Sequence, residues 1–201
     1  MTWAEGGELA LQLALGISLA AAAGLRTFLP LFVVGVAGRL GLVVLADRFA
    51  WLAGTPALTI FGVAIVVEFL GDKVAGVDHA LDVAGSVLKP CAGALLAASV
   101  LTDWSPLALT VASILAGGGA AAAVHVGKAK LRLVSSAATG GLGNPLLSVT
   151  EDVGALAGSV LAIVAPLLVL VAVLLAAALT ALVLARRRRA RGPAGPGYSS
   201  P

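Results

Sequence analysis

The chain has 201 residues, of which 60% are apolar and 11% charged, with a mean hydropathy of +1.07. Soluble domains carry about 45–50% apolar and about 25% charged residues, and a globule of this length keeps too much surface to hide the excess. An ordinary water-soluble domain is therefore excluded, and an all-α, polytopic membrane protein is expected. The net charge of +3 does not point to nucleic acid: five of the thirteen basic residues lie in one tail, Arg186–Arg189 and Arg191, with no aromatic-rich basic surface beside them. The single cysteine, Cys91, excludes an internal disulfide framework.

In chain order, the N-terminus is acidic (Glu5, Glu8) and lacks the basic region of a cleavable signal peptide. A spanning helix needs about 20 apolar residues. Leu9–Leu25 fits the short end, Phe28–Leu45 is a second apolar stretch interrupted by Arg39, and Thr55–Leu70 is a third. Leu88–Leu101 is short and rich in small residues, whereas Leu107–Val126 reads as a clean span. Val153–Ala185 runs to about 50 Å as one straight helix, too long for a roughly 30 Å hydrocarbon core. Pro166 is expected to kink or split it, with Leu167–Ala185 crossing. No period-two alternation supports a barrel. The runs "LAAAAG" at 19–24 and "AGGGAAAA" at 116–123 suit closely packed helices.

Topology follows from the basic residues. The Arg186–Arg189 tail ends the last apolar run, and Lys128, Lys130 and Arg132 follow another, so both groups are expected on the cytoplasmic side. That requires a return crossing between them. Leu133–Glu151 is too polar and glycine-rich for an ordinary span, so a broken helix buried in the bundle is expected there. Residues 1–185 form one transmembrane domain in this reading, and 186–201 a basic, disordered tail.

Three polar clusters interrupt the lipid-compatible sequence. In "GLRTFLPL", Arg26 is either a headgroup-level loop residue or an arginine at a helix break that faces an anion or a buried carboxylate. In "IVVEFLGDKVAGVDHALD", helical spacing would put Glu68 and Asp72 one turn apart, and likewise Asp78 and Asp82. Like charges at that spacing repel, so Lys73, His79, a bound cation or protonation must offset them. The plainer reading is a solvated interfacial loop and amphipathic helix. In "HVGKAKLRLVSSAATGGLGNPLLSVTED", Lys128 and Arg132 lie one helical turn apart, with His125 just before. Ser135, Ser136, Thr139, Gly140, Gly141 and Asn144 supply hydroxyls, an amide and free backbone groups. Asn144-Pro145 should end one helix and start the next, with the proline near its first turn and Glu151 and Asp152 about two turns in. Such a helix start facing a cavity is an anion or polar-ligand site, and an extramembrane loop is the plainer alternative. "GTPALTIFGVAIVVEFLGD" and "GNPLLSVTEDVGALAGSVL" both open Gly-x-Pro and carry acids in the following helix, a loose internal repeat with the acids at different depths.

These three stretches, in this order, resemble a family of bacterial membrane proteins, domain of unknown function 4126, over roughly Leu9–Leu184. The resemblance implies a compact helical membrane protein and no particular substrate. "EFLGDK" is also similar to the Glu-x-Gly-Asp-Lys/Arg motif of divalent cation/proton exchangers, whose acids bind the cation. Here two residues separate Glu68 from Gly71 rather than one, which turns Glu68 by about 100° around a helix.

The functional expectation is a small secondary transporter or permease for an ion or small solute. Glu68, Asp72, Asp78, Asp82, Glu151 and Asp152 would bind the ion or protons, and Arg26, Lys73, His125, Lys128 and Arg132 would balance charge or contact an anion. Two alternatives compete with it: a structural or assembly protein, and a protein or enzyme handling lipid phosphate with His79 or His125 as base. No H-E-x-x-H or G-x-S-x-G pattern is present. No cofactor is expected, no metal is identified, and the partners are the bilayer, the solute and, through the small-residue helices, a second copy of the chain.

Overall fold

The computed structural model describes residues 3–71, 77–140 and 142–190, and among them every regular element is helical. Helix α1 (Trp3–Leu25) is followed after two residues by α2 (Phe28–Arg39). A short 3-10 helix, Asp47–Ala53, leads into α3 (Thr55–Gly71) at a bend of 58°. Then come α4 (Val77–Val100), α5 (Pro106–Ala112), a π-helical stretch (Ser113–Gly118) and α6 (Gly119–Thr139), followed by α7 (Asn144–Val164) and α8 (Pro166–Ala190). Among the described residues, five helical segments are long and apolar enough to cross a membrane, and the bent pair makes a sixth if it counts as one span. The chain is thus an all-α, polytopic membrane protein with a broken helix.

Prolines set several of the starts. Helices α3, α5, α7 and α8 each begin on a proline or one residue before it (Pro56, Pro106, Pro145, Pro166). The missing N–H is one that a helix start leaves unbonded anyway, and the ring presets φ. Ser105 caps α5, its hydroxyl oxygen accepting from the Ala108 N–H at 3.4 Å. The helix at Phe28 stops at Arg39 rather than reaching Leu45. Gly41 takes φ +71° there, and the N–H groups of Leu42 and Gly41 close back onto the carbonyls of Ala37 and Gly38 at 2.9 and 3.1 Å. That double closure, with glycine in the left-handed position, is a strong helix stop.

The bundle is built around α1, which packs against α4, α6, α7 and α8. The inner surfaces are small: Ala14, Ser18, Ala20 and Ala23 of α1, Ala97 of α4, Ala155 and Ser159 of α7. Gly93 of α4 and Gly117 of the π stretch face each other so closely that a Cβ on either would lie 2.7 or 2.6 Å from the other's carbonyl oxygen. Large apolar side chains point outward instead, among them Ile60, Val63, Leu115, Leu133 and Leu168. In water this pattern would be costly. Against lipid tails it is not, and association between helices rests on close backbone approach.

The C-terminal half departs from the sequence expectation. Helix α6 does not end near Val126 but runs on to Thr139 through a stretch of good helix formers. Lys128 and Arg132 therefore belong to a helical stripe with Ala121 and His125, spaced four, three and four residues apart, and all four are buried. Only Lys130 of the expected flanking group is exposed. Leu133–Glu151 is likewise no separate crossing: α6 and α7 form a helical hairpin, closed at Gly140 with φ +62° and restarted at Asn144-Pro145. Helix α8 takes in Arg186–Arg189, which the sequence assigned to the tail, while Arg191 onward lies outside the described residues.

Candidate functional site: a buried charge cluster at the end of α1

The apolar span of α1, Gly6–Leu25, ends one residue before Arg26. The Arg26 N–H still bonds to the Ala22 carbonyl at 3.2 Å, so Arg26 is held by the last turn of α1 and is only 3% exposed. Its guanidinium meets α7: Nε lies 2.5 Å from Asp152 Oδ1, and Nη2 donates to Ser148 Oγ at 2.9 Å. The Arg26 guanidinium thus faces a partly exposed carboxylate of another helix, at the end of the α1 span.

One residue before Asp152 on α7 and more deeply buried, Glu151 is shared by two bases of α6. Lys128 Nζ lies 2.8 Å from Glu151 Oε2 and also donates to the Leu25 carbonyl at 3.4 Å. Arg132 reaches both carboxylate oxygens, from Nη2 at 3.1 Å and from Nε at 3.3 Å. A two-pronged guanidinium contact of this kind fixes orientation as well as charge. Glu151, Lys128 and Arg132 are each 8% exposed. Isolated charges at such depth are expensive, so the cluster is stable only because each acid finds a base.

Glu68 approaches from the other side. It sits in the last turn of α3, where its carboxylate accepts the N–H of Thr27 at 2.9 Å and of Phe28 at 3.4 Å. Thr27 is the N-cap of α2 and makes no side-chain cap of its own. Glu68 thus caps α2 from a different helix, and its charge faces the positive end of that helix. Helix α3 brings its C-terminal end to this place and α7 its N-terminal end. That explains why the acid falls late in one Gly-x-Pro segment and early in the other.

Two cavities flank Arg26. The larger, about 500 Å³, opens between α3 and α4; Arg26, Lys89, Lys128 and Glu68 line it, with apolar walls that include Val63 and Leu88. The smaller, about 240 Å³, is lined by Arg26, Glu68 and Asp152 among apolar residues of α3 and α7. Arg26 and Glu68 form part of both. At the opposite end of α1, a third cavity of about 860 Å³ is lined by Glu8, Asp47, Arg48 and Asp103 around a bonded trio. In that trio the Gln12 amide donates to Thr102 Oγ1 at 2.8 Å, and the Trp104 indole donates to Gln12 Oε1 at 3.1 Å.

Lys89 is a site residue that the sequence reading missed. It is 3% exposed inside α4, lines the larger cavity, and has Nζ 3.3 Å from His125 Nδ1. The signal was present: "SVLKPCAG" places one ionisable residue inside an apolar segment, which by itself marks a candidate. The hairpin residues are located differently from the charged ones. Ser136 and Asn144 bond each other, the amide Nδ2 donating to Ser136 Oγ at 3.0 Å, and Thr139 Oγ1 accepts from the Gly143 N–H at 3.0 Å. Ser135 accepts from Thr139 through its carbonyl at 2.8 Å. These residues and Gly140 hold the hairpin turn and line none of the three cavities. Asp72, Lys73 and Gly141 lie outside the described residues, as do the side chains of Asp78, His79 and Asp82, although the backbone places 78 and 82 one turn apart in α4. Among the described residues no three His, Cys, Asp or Glu side chains converge.

Apolar helices facing outward, small residues facing inward and a paired charge cluster at one end define a multi-pass membrane protein with an internal polar site. The family described as Domain of unknown function (DUF4126) matches residues 13–186, and the chain belongs to it. No curated protein and no solved structure matches the chain.

Proposed function

We propose that the protein is a small secondary transporter or permease for an ion or small solute, with the end of α6 that carries Lys128, Lys130 and Arg132 and the Arg186–Arg189 end of α8 on the cytoplasmic side. The observation that carries this reading is the position of Arg26. It lines two cavities at once, is paired with Asp152 of α7, and shares both cavities with Glu68 of α3. A guanidinium with two acids on different helices can change partner when a solute arrives or leaves, and such a change couples charge to helix position. The cavity at the far end of α1 provides a second polar chamber separated from the first by the small-residue core. Lys128 and Arg132 already occupy Glu151, so a solute cation must compete with them there.

The test is charge displacement across reconstituted proteoliposomes on a solid support, with concentration steps of protons, sodium, potassium, magnesium, phosphate and acetate. At least one step is expected to give a saturable current that Arg26→Gln and Glu68→Gln each reduce at least about tenfold while the protein stays monodisperse. Currents equal to wild type in both variants would end the proposal.

A further inference from the structure

Three buried cations line the cavity between α3 and α4, Arg26 in contact with Asp152, Lys128 with Glu151 and Lys89 with His125, and most of its other walls are apolar. Arg26 and Lys89 are 3% exposed and Lys128 is 8% exposed. They come from three different elements, the end of α1, the middle of α4 and the middle of α6. The one described acid on this wall, Glu68, has its carboxylate against the Thr27 and Phe28 N–H groups. The remaining lining is mostly apolar, from Ile60, Val63 and Val67 on α3 and from Leu81 and Leu88 on α4, with Phe28 and the hydroxyl-bearing Thr27 and Thr59 beside them. Ile60, Val63 and Val67 are more than half exposed, so the cavity opens sideways at the surface that faces lipid rather than along the bundle axis.

Depth adds a second, independent constraint. Arg26 lies where the α1 span ends, which is headgroup level for a roughly 30 Å hydrocarbon core, and Lys89 and Lys128 reach the same cavity from within the α4 and α6 spans. The aliphatic wall runs from Glu68 back to Ile60, about 12 Å along α3 toward the membrane interior. A polar head at the boundary with a chain running inward is the geometry of a bilayer lipid, and a cavity of about 500 Å³ is within the range of small-molecule sites.

From this geometry we infer that the α3/α4 cavity is a lateral site for an anionic membrane lipid. Its phosphate sits on Arg26, Lys89 and Lys128, and one acyl chain lies along Ile60, Val63 and Leu88. This deepens the transport reading by naming the class of solute and its route of entry, and it rests on that reading only for movement across the bilayer. Binding stands on its own. The choice of lipid over a free anion follows from the aliphatic walls and the sideways opening, because a free phosphate would gain nothing from either.

Native mass spectrometry of the full-length protein tests this, after extraction from nanodiscs that contain phosphatidylcholine with a minor share of dioleoyl phosphatidic acid. Phosphatidic acid should be retained at one per chain, well above its share of the nanodisc lipid. Lys89→Gln should lower its apparent affinity about tenfold, as loss of one charge-assisted contact predicts. Val63→Trp, on an exposed wall where folding is not at stake, should block the chain and remove retention. Replacing Arg186–Arg189 by glutamine should change nothing, which separates the site from the basic end. Equal retention of phosphatidylcholine and phosphatidic acid would overturn the inference, since that is ordinary lipid packing. So would retention unaffected by both Lys89→Gln and Val63→Trp, or displacement by millimolar inorganic phosphate as effective as displacement by phosphatidic acid. Lipid retention without any transbilayer movement of phosphatidic acid in vesicles would remove the transport reading and leave the site. Ion currents without selective retention would do the reverse.

Discussion

The α6–α7 hairpin turn and the cluster at the end of α1 have similar polar content and opposite construction. In the turn, the bonds join residues four or eight apart: Thr139 to Ser135, Gly143 to Thr139, Asn144 to Ser136. In the cluster they join residues far apart: Arg26 with Ser148 across 122 positions, Lys128 with Leu25 across 103, Thr27 with Glu68 across 41. Local bonds of the first kind can satisfy a turn without help from the rest of the fold. Bonds of the second kind exist only when the bundle has assembled, and they hold charges that would otherwise be too costly to bury. A polar group satisfied by its neighbours carries little functional information. One satisfied across the fold, beside a cavity, carries more.

The sharpest way to break this contrast is Glu151→Gln. It leaves Lys128 and Arg132 without their shared anion in a site from which water is largely excluded. Loss of one partner of a buried pair costs about 3–5 kcal/mol, and a substantial fall in midpoint is expected when the protein in mild micelles is titrated with a denaturing detergent. Arg26→Gln should cost less, about 1–3 kcal/mol. Its partner Asp152 has a side chain 23% exposed, so water can take over part of the contact. If Glu151→Gln proves as mild as a surface substitution, the cluster is wet and the distinction between the two regions collapses.

How far the sequence showed these regions depends on how each is held together. The helix breaks were legible because they rest on local chemistry: Pro56, Pro145 and Pro166 start helices, and Asn144-Pro145 restarts the chain where expected. Arg26, Glu68, Lys128, Arg132, Glu151 and Asp152 were legible as charges in an apolar chain that lipid would tolerate only if they were paired. Which acid meets which base was not legible, since the partners lie up to 126 positions apart and no local pattern encodes that. The extent of α6 was misjudged for a related reason. Lys128 and Arg132 look like the flank of a span because position along the chain does not say which face of a helix a residue occupies. Only the neighbours α1 and α7 turn that face inward. Lys89 escaped notice because it stands alone, with its contact His125 on another helix.

In the hairpin, Asn144→Ala removes the contacts of the amide with one partly exposed hydroxyl, Nδ2 donating to Ser136 Oγ at 3.0 Å and Oδ1 accepting from it at 3.4 Å. About 1 kcal/mol or less is expected in the same titration, because water can satisfy what the amide leaves. The double variant Glu151→Gln/Asn144→Ala is the finer test. If the turn and the cluster are separate constructions, the two costs add to within about 0.5 kcal/mol. Asn144 and Glu151 share α7, however, and Arg132 and Ser136 face them from α6 one turn apart. A coupling clearly above that bound would mean that the turn sets the spacing between α6 and α7 on which the Glu151 contacts depend. The local bonds of the hairpin would then be part of the site.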